Sequence, residues 1–187
     1  MWKKLALGLA LVVGIALVVV GMQPDTFSVE RSALVPAPPD VVFAQIQNLR
    51  AMDTWSPYAQ MDPEMKIRYE GPEAGVGARS SWEGPQMGTG SLTVTGALPG
   101  RSVDMNLDML TPMEAHNQIR FTLAPEAGGT RVTWRMQGES GFLGKAIHLV
   151  MDMDSMVGGQ FEQGLASLSE KAEAEAVALA GPRASSR

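Results

Sequence analysis

The residues that could do chemistry are few in this chain and widely spaced. It has no cysteine and two histidines, which excludes thiol catalysis, disulfide bonds and thiolate metal sites. His116 alternates outward on a predicted strand and His148 lies in a predicted helix, so neither stands beside a nucleophile and an orienting group. No glycine-rich phosphate-binding loop opens a helix after a strand. The pattern therefore predicts no catalytic residue and no cofactor.

Two short patterns in the last third of the chain invite a metal interpretation. Asp152 and Asp154 are two positions apart, and on a helix such positions diverge by about 200°, so they share an ion only if the segment is extended. Met151, Met153 and Met156 are thioethers of the kind that select Cu(I). Without a nearby cysteine or histidine they fit a core or cavity wall better, because Met fills irregular apolar gaps. We predict no metal site.

Composition restricts the partners. The net charge is −5, with lysines and arginines scattered along the chain, which argues against nucleic acid as a partner. About 160 residues follow the N-terminal segment, a length that fits one domain with its own hydrophobic core.

The N-terminal segment predicts attachment to a membrane. Lys3 and Lys4 precede an uncharged run at 5–22, which as a helix would be about 27 Å long, near the ~30 Å hydrocarbon core. It could be a cleaved signal peptide, but the run is longer than a typical signal core and no Ala-x-Ala site follows. We therefore favour a single-pass anchor with a cytoplasmic N-terminus and the remaining chain on the periplasmic or extracytoplasmic side.

The middle of the chain predicts an antiparallel sheet. Thr26–Val35 is the first strand, and the prolines at 36–39 end it and start a short helix that continues to Leu49. A second helical turn is expected at 48–54. Six further runs alternate apolar and polar residues and are separated by glycine and proline turns; they lie at 65–69, 78–82, 92–94, 103–109, 117–123 and 132–136.

A long helix is predicted at the C-terminal end of the chain. Its apolar residues recur at spacings of three, four and seven: Met153, Val157, Phe161, Leu165, Leu168, Ala172 and Leu179. Gly181 and Pro182 end it. Gly158, Gly159 and Gly164 indicate either close approach of the helix to the sheet or a ligand, or a break in the helix, and we expect a kink or helix boundary at 155–159. The predicted fold is α+β, with seven antiparallel strands, two small helices, the long helix and the N-terminal transmembrane helix.

The order of motifs resembles the SRPBCC (START-like) superfamily, in its polyketide cyclase/dehydrase-like branch. The resembling stretches include Trp55-Ser56-Pro57 and the segments 69–72, 81–84, 129–134 and 161–165. The resemblance implies a helix-grip fold with a cavity between the curved sheet and the long helix. It divides the chain into an anchor or signal segment at 1–23, an SRPBCC domain at 24–181 and a flexible tail at 182–187.

A cavity in this position would be lined by the inward-facing side chains of the strands and the long helix. Ser80 and Asn117 are the polar members and the best candidates to orient a ligand; a buried amide satisfied by backbone is equally compatible. The apolar members are Trp55, Tyr69, Trp82, Met105, Leu107, Phe121, Trp134, Met136 and Phe161. An ordinary packed core would use the same residues.

The resulting hypothesis is a membrane-anchored exported domain that binds a hydrophobic small molecule or lipid. One alternative is a cyclase or dehydratase that uses the same cavity, although no residue pattern argues for catalysis. The other is an accessory interaction domain with a vestigial cavity. A polar residue deep in the cavity with a perturbed pKa would favour the enzyme.

Overall fold

The computed structural model describes residues 2–142, 144–146 and 153–181. The N-terminal helix α1 is Trp2–Gly21, and three short helices follow strand β1: α2 Pro39–Gln47, α3 Leu49–Asp53 and α4 Pro57–Met61. The strands are β1 Thr26–Val35, β2 Lys66–Glu70, β3 Arg79–Gly84, β4 Gly88–Leu98, β5 Ser102–Thr111, β6 Ala115–Glu126 and β7 Gly129–Glu139. The long helix α5 is Met153–Ala180.

The seven strands form one antiparallel sheet in the order β1-β7-β6-β5-β4-β3-β2. Strands β2 to β7 are a meander of hairpins, while β1 crosses to pair with β7, where Val29 lies opposite Met136. The predicted α+β fold of a seven-stranded sheet with a long C-terminal helix is confirmed, and it fits the helix-grip arrangement.

The prediction of an N-terminal transmembrane helix is wrong. Residues 2–21 are helical, but no helix within the part of the chain that the structure describes is long and apolar enough to cross a membrane. The prediction depended on the length of the uncharged run at 5–22, but a membrane span also requires sufficient mean hydropathy along a continuous helix. Three expectations depended on this helix and are not supported: the single-pass arrangement, the membrane contact at 5–22 and the periplasmic placement.

Helix α4 was not predicted from the sequence. The chain leaves helical geometry at Ser56, whose ψ is 128°, because the residue before a proline is held in extended geometry. Proline is also favoured at the first position of a helix, because its missing N–H would be unpaired there anyway. A new helix therefore begins at Pro57 and carries Tyr58 and Ala59 toward the sheet.

The core lies between the sheet and α5. Phe161, Leu165, Leu168 and Ala172 are fully buried along one face of the helix, as predicted from their spacing. Leu179 belongs to the same predicted stripe but is 71% exposed, because the last turns of the helix extend past the packed core.

Helix α5 is unbroken through 155–159, so no helix boundary lies there. Two of its glycines instead lie where the helix closely approaches neighbouring side chains. A Cβ on Gly164 would lie 2.7 Å from Cζ3 of Trp134, and one on Gly158 would lie 2.1 Å from Nη2 of Arg31. A Cβ on Gly159 would have no heavy atom within 4 Å apart from its own helix backbone.

Candidate functional site

An unfilled cavity of about 250 Å³ lies between the sheet and the first turns of α5. Side chains from strands β2 to β7 form its floor, and Val157 and Phe161 of α5 lie over it. Met52 of α3 and Tyr58 of α4 close one side. Residues of α3 and α4 therefore form this side of the cavity.

The cavity brings together most of the residues predicted to line it. These are Ser80, Trp82, Leu107, Asn117, Trp134, Met136 and Phe161. They come from four different strands and from α5, so only the assembled sheet can place them on one surface.

The other four predicted residues lie outside the cavity wall. Trp55, Met105 and Phe121 are 0–1% exposed and belong to the packed core, where α2 contacts strands β5 and β6 and occupies the space above them. Trp55 donates its indole N–H to the backbone oxygen of Gln45 at 3.1 Å. Tyr69 is half-buried near the edge of the sheet and turns its hydroxyl toward Asp53.

Sequence reasoning missed several wall residues. Four of them share the inward alternation and could have been found from it: Met65 just before β2, Ile67 of β2, Met109 of β5 and Ile119 of β6. Asp53 and Tyr58 could not, because their positions depend on the turn between α3 and α4. Methionine is common in this wall, which suits a surface that adapts to its occupant; the methionines are Met52, Met65, Met87, Met109 and Met136.

Trp134 is held on several sides by aromatic rings. Its indole stacks on Phe161 with centroids 4.1 Å apart and an interplanar angle of 9°. The edge of Trp55 meets it at 5.9 Å, and Phe121 lies 4.9 Å away. Trp134 is 1% exposed, yet its Nε1 has no hydrogen-bond partner. This donor is therefore left unpaired within the packed rings.

Trp82 presents a second such donor. It pairs across strands with Gly90, and a Cβ on Gly90 would lie 2.6 Å from Cζ2 of Trp82, so the missing side chain makes room for the indole. Trp82 Nε1 is buried and has no partner. This second indole N–H also belongs to a residue of the cavity wall.

Asp53 contributes a carboxyl group to the same wall. The hydroxyl of Tyr69 donates to Asp53 Oδ2, and the guanidinium carbon of Arg50 lies 4.0 Å above the Tyr69 ring. Burial raises the pKa of Asp53, and the Tyr69 hydrogen bond and Arg50 offset this only in part. Burial and the bond to Asp53 raise the pKa of Tyr69 to about 12. A raised pKa keeps this carboxyl group protonated to a higher pH than an ordinary aspartate.

Two further wall features are electrostatic. Burial raises the pKa of Tyr58 to about 12, so its hydroxyl stays neutral. No lysine, arginine or histidine occurs among the described wall residues, and Asp53 is their one ionisable carboxyl group. The described part of the wall is therefore mainly apolar, with a small number of neutral polar groups and one residue that can carry negative charge.

An ion pair fixes the first turns of α5 above the cavity. Arg31 of β1 contacts Asp154 Oδ2 through Nη2 and Glu162 Oε1 through Nε, both at 2.9 Å. These two carboxylates raise the pKa of Arg31. The guanidinium lies against Gly158, between the positions of Val157 and Phe161, and so holds the part of α5 that roofs the cavity.

The acidic and methionine residues that suggested a metal site lie only partly within the described residues. Asp154 pairs with Arg31, whereas His148, Met151 and Asp152 lie outside them. Among the residues that the structure describes, no group of three or more histidine or acidic side chains is arranged to hold a metal ion.

Comparison with known proteins gives one family and many structures. The family model described as polyketide cyclase/dehydrase and lipid transport matches residues 26–173. No curated protein matches the sequence.

Three solved structures illustrate the likeness. CV1439 from Chromobacterium violaceum is 16% identical, with a TM-score of 0.57 over 81% of this chain and 99% of that one. MLL2253 from Mesorhizobium loti is 15% identical, with a TM-score of 0.57 over 79% and 98%. StfQ, a di-domain ARO/CYC protein from the steffimycin biosynthetic pathway, is 13% identical, with a TM-score of 0.58 over 81% and 52%. At these identities the likeness shows the fold alone.

Proposed function

Because the chain belongs to the polyketide cyclase/dehydrase and lipid transport family, we propose that it binds a hydrophobic small molecule in the cavity beneath α5. The family match confirms the resemblance noted in the sequence motifs. The fold alone leaves the ligand and any reaction open, because one fold serves many activities. The proposal rests on the site itself.

The observation that carries the proposal is unfilled space in an otherwise closely packed core. Protein interiors have few voids larger than a water molecule, and an apolar void forfeits packing contacts. The cavity of about 250 Å³ is walled mainly by aliphatic, aromatic and methionine side chains. An apolar ligand would restore the missing contacts and remove its own surface from water.

The volume favours a small molecule over a complete lipid. A cavity of ~150 Å³ holds benzene, so by proportion this cavity holds on the order of ten non-hydrogen atoms. That is the size of a two-ring compound or a short chain. A diacyl lipid is several times larger.

A second candidate function is acid–base catalysis on such a compound, of cyclase or dehydratase type. Asp53 favours it, because its carboxyl group lines the cavity, has a raised pKa and is oriented by the Tyr69 hydroxyl. In its charged form it could remove a proton from carbon next to a carbonyl group and later return one. Binding alone does not require such a group.

Binding is tested with tetralin, a neutral hydrocarbon of matching size, titrated into the protein and followed by NMR. Leu107→Trp places a large ring in the cavity and should weaken tetralin binding by about tenfold or more. Leu110→Trp is the matched control, since Leu110 is on the same strand but 59% exposed. Equal affinity in the two variants, or no binding to the wild type, would contradict the proposal. If the wild type binds no tetralin and native mass spectra show no co-purified small molecule, the interaction-domain alternative is supported.

The catalytic candidate is tested by hydrogen exchange in a ketone. β-Tetralone carries acidic hydrogens beside its carbonyl group, and their replacement by deuterium in heavy water is followed by NMR. The wild type should accelerate the exchange beyond an equal concentration of acetate, and Asp53→Asn should remove the acceleration while tetralin still binds. Exchange at the acetate rate in the wild type would leave binding as the function.

A further inference from the structure

We propose that the cavity wall is a modification site: a hydroperoxide oxidises Met65, Met87 and Met109 to sulfoxides, and the affinity of the cavity for an apolar ligand falls. This inference rests on the proposed function and adds a means of regulation to the same site. It is argued from the position of these side chains, their access to solvent and the chemistry of the thioether group.

The sulfur of this chain is all thioether. The sequence contains thirteen methionines and no cysteine. Its reversible sulfur oxidation is therefore confined to the formation of methionine sulfoxide, which reductases return to methionine. That modification turns a flexible apolar side chain into a polar one, so its effect depends on what the side chain touches.

The cavity collects methionines from several parts of the chain. Five occur among the described wall residues: Met52, Met65, Met87, Met109 and Met136. Met52 and Met136 are buried, whereas the other three are partly exposed to solvent. These three come from the end of the α4–β2 connection, the β3–β4 turn and strand β5. A dissolved peroxide can therefore reach them while the protein stays folded.

The surroundings of Met109 show what an added oxygen would meet. Gly90 pairs with Trp82 on one side and with Met109 on the other. A Cβ on Gly90 would lie 2.6 Å from Cζ2 of Trp82 and 3.0 Å from Sδ of Met109, so the indole and the sulfur share the space above this glycine. Sulfur beside an aromatic ring is a favourable apolar contact. An oxygen on this sulfur would disturb that contact or turn into the cavity.

A sulfoxide in the wall penalises an apolar ligand. Its oxygen accepts hydrogen bonds, and water can supply them while the cavity holds no ligand. A hydrocarbon that displaces this water leaves the oxygen buried and unpaired, which costs binding free energy. A sulfoxide on a methionine outside the wall carries no such penalty, because the ligand does not cover it.

The hydroperoxide is the only co-reactant that the step needs. The sulfur lone pair attacks one peroxide oxygen, an S–O bond forms and the O–O bond breaks. The proton on the transferred oxygen moves to the departing oxygen, which leaves as water or an alcohol. The sulfur is oxidised by two electrons and the peroxide is reduced by two.

The test treats the folded full-length protein with hydrogen peroxide and follows three quantities: the oxidised positions by peptide mass spectrometry, the fold by NMR, and the affinity for tetralin. We expect the three partly exposed wall methionines to be oxidised before Met52 and Met136. The affinity for tetralin should then fall by about tenfold or more. Methionine sulfoxide reductases A and B should restore both the mass and the affinity.

A triple variant tests whether the wall sulfurs cause the loss. Met65→Leu/Met87→Leu/Met109→Leu keeps apolar side chains of similar volume that peroxide does not oxidise. The measured quantity is the ratio of the dissociation constants after and before peroxide for each protein, so a different starting affinity does not affect the comparison. We expect this ratio to stay near one in the triple variant.

The matched control changes three exposed methionines that are not among the described wall residues. Met61→Leu/Met113→Leu/Met156→Leu replaces side chains that are 45–49% exposed. It should lose affinity on oxidation as the wild type does. The reductase experiment needs no variant, so the inference remains testable if either triple variant does not fold.

The outcomes separate the two proposals. The inference would be overturned, and apolar binding left intact, by unchanged affinity after oxidation of the wall methionines, by an equal loss in the wall variant, or by wall methionines that resist peroxide while Met61 and Met113 react. Unfolding of the oxidised wild type would also overturn it, because the loss would then not be local. Failure of the untreated wild type to bind tetralin would overturn the proposed function and this inference with it.

Discussion

Gly164 of α5 lies directly against the indole of Trp134, and the two residues set how closely the helix approaches the sheet. A Cβ at position 164 would be 2.7 Å from Cζ3 of Trp134 and 3.1 Å from Cδ of Pro57. The indole cannot withdraw, because Phe161, Phe121 and Trp55 surround it. Glycine is required here for packing, and the roof of the cavity depends on it.

Gly164→Ala should lower the free energy of unfolding by about 1–3 kcal/mol, because overpacking exceeds the gain in helix propensity. Gly159→Ala is the matched control on the same helix, with open space around the new Cβ, and should stabilise the protein by up to ~1 kcal/mol. Urea denaturation measures both. A stabilised Gly164→Ala variant would mean that α5 and the sheet are farther apart than described.

Gly158→Ala should loosen the first turns of α5. Its Cβ would lie 2.1 Å from Nη2 of Arg31, so the guanidinium must leave its place between Asp154 and Glu162. We expect faster amide hydrogen exchange at Val157 and Phe161 and unchanged exchange near Leu168, with Arg31→Gln showing the same pattern. Uniform acceleration along the helix would instead indicate global destabilisation.

Asp53 should make the protein less stable as the pH rises. Its folded-state pKa is raised above the ordinary value of 3.8, so the folded state holds a proton that the unfolded state has released. The free energy of unfolding therefore falls as the pH rises from about 4 through the folded-state pKa. Asp53→Asn cannot titrate and should gain stability relative to the wild type over that interval. Parallel pH profiles for the two proteins would show that Asp53 titrates normally.

The two tyrosines should resist ionisation at alkaline pH. Tyr58 and Tyr69 are the whole tyrosine content of the chain, and both have a pKa of about 12 against an ordinary value of 10.0. Between these values the unfolded state releases protons that the folded state keeps, so stability falls as the pH rises. Tyrosinate absorbance should appear only near pH 12 or together with unfolding. A transition close to pH 10 in the folded protein would contradict the burial of these hydroxyl groups.

The sequence by itself determined most of the secondary structure and the family. Strand β1 has the predicted bounds, the six alternating runs are strands, and the stripe from Phe161 to Ala172 is buried. These features are local, because the period of apolar residues records which face of each element is buried. Glycine and proline mark where the elements end for equally local steric reasons.

Only the tertiary structure decided which inward residues border open space. Trp55, Phe121 and Trp134 have the same inward orientation and chemistry, yet only Trp134 lines the cavity. The difference arises because α2 packs over one part of the sheet, while residues of α3, α4 and the first turns of α5 border open space over another part. Contacts between distant segments produce the unpaired indoles, the position of Asp53 and the open cavity. The local periodicity of apolar residues does not encode such contacts.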